Sequence, residues 1–120
     1  MDWSAYQLPT NSGSLNDWTT VNVDTAMEIN KRYFTDGNLN MLLPLTAPKG
    51  SIIRISNLTG NFTITQNAGQ VIHLSNLTST PGIGGSVASA AVGDGLSLVC
   101  ETADTDWIAV TSIGAMFTVT

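Results

Sequence analysis

At 120 residues the chain has room for one domain with a single core, because a chain of this size buries roughly two-thirds of its surface on folding. It is 42% hydrophobic but only 11% charged, so its polar surface is drawn mostly from Thr, Ser, Asn and Gln. Nine acidic residues against four basic ones give a net charge of −5, which argues against the Lys/Arg cluster that nucleic-acid affinity requires.

No apolar run approaches the roughly eighteen residues of a membrane helix, and the opening with Asp2, Asp17, Asp24 and Glu28 lacks a basic start, so neither membrane insertion nor a signal peptide is expected. Residues 1–23 mix Trp3, Tyr6, Leu8, Leu15 and Trp18 with Pro9 and Gly13, without helical or alternating period. They read as an extended N-terminal arm. Its large amphipathic side chains, Trp3, Tyr6 and Trp18, are the expected partner-binding anchors; the competing reading folds the arm back on its own domain.

Residues 24–120 read as one β domain, a succession of short β-type runs broken by turn residues at intervals of roughly ten. The expected strands are Ala26 to Phe34, Leu39 to Leu45, Ser51 to Asn57, Asn61 to Gln66, Gln70 to Ser75, Leu96 to Thr102, Trp107 to Ser112 and Ala115 to Thr120. The turns between them, among them Thr35-Asp36-Gly37-Asn38, Leu58-Thr59-Gly60 and Asn67-Ala68-Gly69, are rich in residues that accept positive φ or bond their own backbone. The fold class that follows is all-β, a compact antiparallel β-sandwich, jelly-roll-like, dominated by hairpins and without helix.

Alternation places Phe62 with Ile64, and Leu96 with Leu98 and Cys100, on core faces. Ile52, Ile53 and Ile55, like Val71, Ile72 and Leu74, fill both faces, as central strands or strands covered by a neighbouring subunit do. The stretch from Thr78 to Ala91, with Pro81-Gly82-Ile83-Gly84-Gly85, reads as a structural loop packed closely on other backbone.

Chemistry finds little purchase. His73, the sole histidine, sits mid-strand beside Val71 and is assigned no catalysis. Asp104 and Asp106 are expected to cap a tight turn; with Asp94 they match no complete calcium loop, and no metal or other cofactor is expected. Cys100, the one cysteine, reads as a small buried hydrophobe. Asn-x-Thr triplets at Asn57, Asn61 and Asn76 read as turn and strand chemistry. Trp107 is the candidate glycan contact in an alternative, lectin-like role.

Several ordered phrases carry a resemblance. The run Ile64-Thr65-Gln66-Asn67-Ala68-Gly69-Gln70-Val71-Ile72, then Gly84-Gly85-Ser86-Val87-Ala88-Ser89, then Gly93-Asp94 with Leu96-Ser97-Leu98-Val99-Cys100, and later Thr102-Ala103, Trp107 and Ser112-Ile113-Gly114, resembles a structural β-module of tailed-bacteriophage virions. Leu42-Leu43-Pro44-Leu45 followed by Gly50-Ser51-Ile52-Ile53-Arg54-Ile55 extends the likeness over residues 26–120. The resemblance implies a homotrimer without catalytic residue or cofactor, located in the virion. Because a short arm rather than a shaft precedes the domain, it implies capsid decoration on the major capsid protein. The alternative is a tail-fibre or spike tip joined to tail proteins and binding a host glycan.

Overall fold

The computed structural model describes residues 18–114 and 116–120. They form an all-β domain of two mixed sheets. The strands in chain order are β1 (Trp18–Val21), β2 (Thr25–Ala26), β3 (Lys31–Asp36), β4 (Leu39–Leu42), β5 (Ile52–Thr59), β6 (Phe62–Thr65), β7 (Val71–Leu74), β8 (Leu77–Thr78), β9 (Ser86–Ala88), β10 (Gly95–Thr102), β11 (Asp106–Ile113) and β12 (Thr118–Val119). One sheet runs β1-β3-β5-β10-β11-β7-β8 and the other β12-β9-β6-β4-β2.

From β1 to β6 the chain alternates between the sheets, and each strand lies parallel to the one two before it. This is winding, not hairpin formation. Successive coils are locked at their corners. The Gly37 N–H donates to the Thr59 carbonyl at 3.0 Å and the Leu39 N–H to the Asn61 carbonyl at 3.1 Å, while the Asn38 side-chain oxygen accepts from the Asn61 N–H at 2.9 Å. Gly60, at φ +65°, is required here. A Cβ on it would lie 2.5 Å from the carbonyl carbon of Gly37 in the preceding coil.

After β6 the pairing changes. β10 adds antiparallel to β5, β11 returns along β10 as a hairpin, and β7 docks parallel to β11 with β8 folded back on it. In the second sheet β9 pairs antiparallel to β6 and β12 to β9. Half of the ladders among the described residues are therefore parallel, which corrects the expected antiparallel pairing.

Tyr33, Ile53, Ile55, Leu96, Leu98 and Trp107 of the larger sheet meet Met41, Phe62, Ile64 and Val87 of the smaller one in a single buried cluster. Each fully buried side chain of this kind is worth about 1.5–3 kcal/mol relative to exposure. The inward placements expected for Phe62, Ile64, Leu96, Leu98 and Cys100 hold.

Two buried amides tie loops to this core. The Gln66 side-chain N–H₂ group lies within hydrogen-bonding distance of the carbonyls of Gln70, Thr80 and Gly82 at 2.7, 3.0 and 2.9 Å, and its oxygen accepts from the Ser79 hydroxyl. Gln70 donates to Pro44 at 2.7 Å and Asp104 at 3.0 Å and accepts from the Asn67 N–H at 2.8 Å. Satisfied in this way, buried amides fix chain paths that apolar contacts alone would leave loose.

Three boundaries depart from expectation. The domain begins by Trp18 rather than at residue 24, because Trp18–Val21 pairs with Arg32–Thr35. The expected strand Ala26 to Phe34 is broken where the chain crosses between sheets, with Asn30 at φ 59°. The stretch from Thr78 to Ala91 contains β9, although Gly85 does pack closely: a Cβ there would lie 1.9 Å from the Thr80 carbonyl oxygen.

Candidate functional site

The outer face of the seven-stranded sheet gathers the side chains that the core leaves out. Strand alternation turns Tyr33, Ile53 and Leu98 inward, so Arg32, Arg54 and Ser97 point outward. Register then aligns Trp18, Arg32, Arg54, Ser97 and Thr111 across five adjacent strands.

The Trp18 ring stacks on Phe34, with centroids 4.3 Å apart and planes 17° from parallel, and the Arg32 guanidinium carbon lies 5.5 Å from the Trp18 ring centre. Trp18 remains 36% exposed. Beside it opens a groove of about 120 Å³, lined among others by Trp18, Arg54, Ser56, Gly95, Ser97, Thr111 and Ile113. Gly95 packs closely on the neighbouring strand: a Cβ there would lie 3.1 Å from the Ile55 carbonyl oxygen.

Arg54 is half-buried, and its Nε atom is buried without a hydrogen-bond partner. Among the described residues Glu28 pairs with Lys31 and Asp106 faces His73, so neither Arg32 nor Arg54 has a carboxylate partner there. Glu28 raises the Lys31 pKa, first through their hydrogen bond and then through its charge.

The other half of the face is apolar. Ile52, Val99 and Ile108 fall in one register row. A bulge between Ser97/Thr111 and Leu98/Ala109 leaves Val110 unpaired and 59% exposed. Val99, Ile108 and Val110 line a shallow hollow of about 210 Å³ with Lys49, Gly50 and Glu101. A larger hollow, of about 550 Å³, lies at the edge of the other sheet between residues 26–29 and 42–46.

The residues singled out by sequence scatter. Trp3 and Tyr6 lie outside the described residues. Trp18 belongs to an edge strand of the sheet rather than to an arm. Trp107 is wholly buried, so its indole packs in the core and is not a surface contact for a glycan. The alternating pattern that makes Trp107 open a strand also turns it inward.

His73 Nδ1 stands 3.2 Å from the Thr78 hydroxyl and Nε2 stands 3.7 Å from the Asp106 carboxylate. His73 is the register partner of Ile108, beside the apolar half of the same face. Asp104 does not cap its own turn: its carboxylate accepts from the Ala47 N–H at 2.7 Å, pinning the β10–β11 hairpin to the strand-free segment before β5. Asp94 does cap locally, accepting from the Ala90 and Ala91 N–H groups. Among the described residues no three His, Cys, Asp or Glu side chains gather as metal ligands, and no helix is long and apolar enough to cross a membrane.

Cys100 is buried, and burial pushes its thiol pKa up. Asn57 is buried too. Its amide bonds the Thr35 hydroxyl and the Gly60 and Ala91 carbonyls, so its triplet serves the fold rather than a modification.

Arg32, Arg54 and Phe34 went unnoticed in the sequence. Arg32 and Arg54 are 22 positions apart, and only the coil register makes them neighbours. Compared with known protein families and with curated proteins, the chain matches none.

Proposed function

We propose that the chain is a non-enzymatic structural protein of a virion, a capsid decoration protein that attaches to the outer shell as a trimer and stabilises it. The observation that carries this reading is the open apolar half of the large sheet, where Ile52, Val99, Ile108 and Val110 lie on one face with Val110 mostly exposed. A charge-poor protein gains little from leaving such a row in water, and each side chain covered by a neighbouring copy or by the shell adds to assembly. A decoration protein works by that burial alone: contacts made only with the assembled shell stabilise the shell by mass action. The phrase-level resemblance over residues 26–120 supports the same reading.

The test is to separate virions into heads and tails and quantify this chain in each by peptide mass spectrometry against the major shell protein. Many copies on heads are expected, with native mass spectrometry of the isolated protein giving a trimer. Val110→Asp should then lower the fraction found as trimer while circular dichroism keeps the β signature. A few copies on tails alone, or absence from both fractions, overturns the assignment.

A further inference from the structure

The arginine half of the same face carries a second inference, and it does not rest on the virion reading. Arg32 and Arg54 are direct partners on parallel strands about 4.8 Å apart and point to the same side. Like charges in that relation are unfavourable. The chain has only four basic residues, and Lys31 is engaged by Glu28. Half of the positive charge is thus concentrated at one place, with no carboxylate partner among the described residues and with Arg54 Nε buried and unbonded. An orphaned buried donor is costly, and it leaves the rest of the guanidinium as the part of Arg54 that a ligand can meet.

What surrounds Arg54 specifies the ligand. The groove is about 120 Å³, the scale of one small ring, and its lining residues come from β1, β5, β10 and β11. Ser56, Ser97 and Thr111, whose hydroxyls can both donate and accept, stand among its lining residues, and Trp18 and Ile113 contribute to a lining that is mostly apolar. A carboxylate takes the planar fork of an arginine in a bidentate pair. A bare carboxylate, or an acidic side chain on an extended peptide, would use the arginine and leave three hydroxyls and the apolar lining idle. A pyranose carboxylate uses all of them, since its ring has vicinal hydroxyls and a C–H face.

We infer that this groove binds a carboxylate-bearing monosaccharide unit of the hexuronic acid class, with its carboxylate on Arg54 and its ring between Trp18 and the Ser97–Thr111 hydroxyls. Arg32 acts from the adjacent strand by adding positive potential, which favours the ligand and is relieved by it.

Sodium glucuronate, glucose, sodium acetate and a hexaglutamate peptide serve as probes, each titrated into the full-length protein at constant ionic strength and followed by amide NMR shifts. Glucuronate is expected to bind saturably in the millimolar range, moving the amides of Ser56, Gly95 and Ser97. Glucose should give no saturable shift, and acetate should bind at least tenfold more weakly. Arg54→Gln should abolish the glucuronate response. Arg54→Lys, which keeps the charge but not the fork, should weaken it about tenfold, and Arg32→Gln about threefold. Ser97→Ala provides a second probe that leaves the charges in place, with an expected loss of about threefold. Unchanged one-dimensional spectra elsewhere show that each variant is folded. The inference is overturned if glucuronate fails to saturate, if acetate or hexaglutamate binds as well as glucuronate, or if Arg54→Gln binds like the parent protein.

Discussion

The stacking of coil corners makes a quantitative claim that one pair of substitutions can test. Gly60 and Gly69 both lie at positive φ, +65° and +79°, so alanine at either position suffers the left-handed penalty of about 1–2 kcal/mol. They differ in surroundings. A Cβ on Gly69 meets nothing within 4 Å, whereas one on Gly60 lies 2.5 Å from Gly37 C, 2.6 Å from Gly37 O and 2.8 Å from Asn38 N. Ordinary carbon contacts are about 3.5–4.0 Å, so the corners must separate by roughly 1 Å, and backbone cannot rotate aside as a side chain can. That movement strains three corner hydrogen bonds, from Gly37, Leu39 and Asn61, each worth about 0.5–1.5 kcal/mol net. Gly60→Ala should therefore cost about 2–4 kcal/mol more than Gly69→Ala. In urea titrations followed by tryptophan fluorescence this appears as a lower midpoint at unchanged slope. In thermal scans it is a Tm at least about 8 °C lower, at 4–8 °C per kcal/mol for a domain of this size. Equal losses for the two variants would refute the stacked corners and, with them, the parallel register of β4 with β6.

Other substitutions probe other parts of the fold. Trp107→Ala should destabilise by about 3–5 kcal/mol in urea, because a fully buried indole leaves a large cavity. Trp107→Phe should cost clearly less, since the indole N–H has no partner among the described residues to lose. Gln66→Leu should cost about 3 kcal/mol and speed hydrogen exchange of the Gly82 and Gly85 amides, because the Ser79 hydroxyl and three carbonyls lose their partner. Cys100 should react with iodoacetamide only as fast as the protein opens. Its raised pKa means that the folded state holds the thiol proton more tightly than the unfolded state. Stability from this group is thus complete below the ordinary thiol pKa of about 8.5 and is lost as pH rises through that value toward the folded pKa. Cys100→Ala should flatten the alkaline fall in urea midpoint, and an equally steep fall would remove Cys100 as its cause.

Strand identity was legible because alternation and turn chemistry act locally: Leu96-Ser97-Leu98-Val99-Cys100 declares its faces whatever it pairs with. Strand direction was not. Gly37, Gly60 and Gly69 accept positive φ equally well in a hairpin and in a corner that passes the chain to the opposite sheet. The repeat that would reveal winding is also uneven. Trp18 pairs with Arg32 at an offset of 14 (32 minus 18) and Thr25 with Met41 at 16, whereas Tyr33 pairs with Ile55 at 22 and Met41 with Ile64 at 23. No fixed period exists for the eye to find. The run from Ala26 to Phe34 looked continuous because Met27 and Ile29 are apolar, yet they are apolar because they pack on the core where the chain crosses between sheets.

The same logic explains why the sequence left Trp107 open as a surface contact. Trp18 is the first residue of β1 and Trp107 the second of β11, and nothing local tells which will be covered. Trp107 pairs with Ile72 and Cys100 in the interior of the sheet and faces the core. Trp18 sits at the edge, where the row of outward residues ends, and folds its ring over Phe34. Exposure is decided by the number of neighbouring strands and the face, both of which are properties of register.

Register also couples the two proposals. The apolar row of Ile52, Val99 and Ile108 and the polar row of Arg54, Ser97 and Thr111 lie on one side of the same strands, two residues apart along β5 and β10. If a neighbouring copy covers the apolar row alone, a hexuronate at Arg54 leaves assembly unchanged. If it covers both, ligand and neighbour exclude one another, and linkage requires that each weaken the other by the same factor. Glucuronate added to the assembled protein in native mass spectrometry distinguishes these arrangements. Ligand bound to intact trimers confines the interface to the apolar row. Monomer appearing with ligand extends it to Arg54.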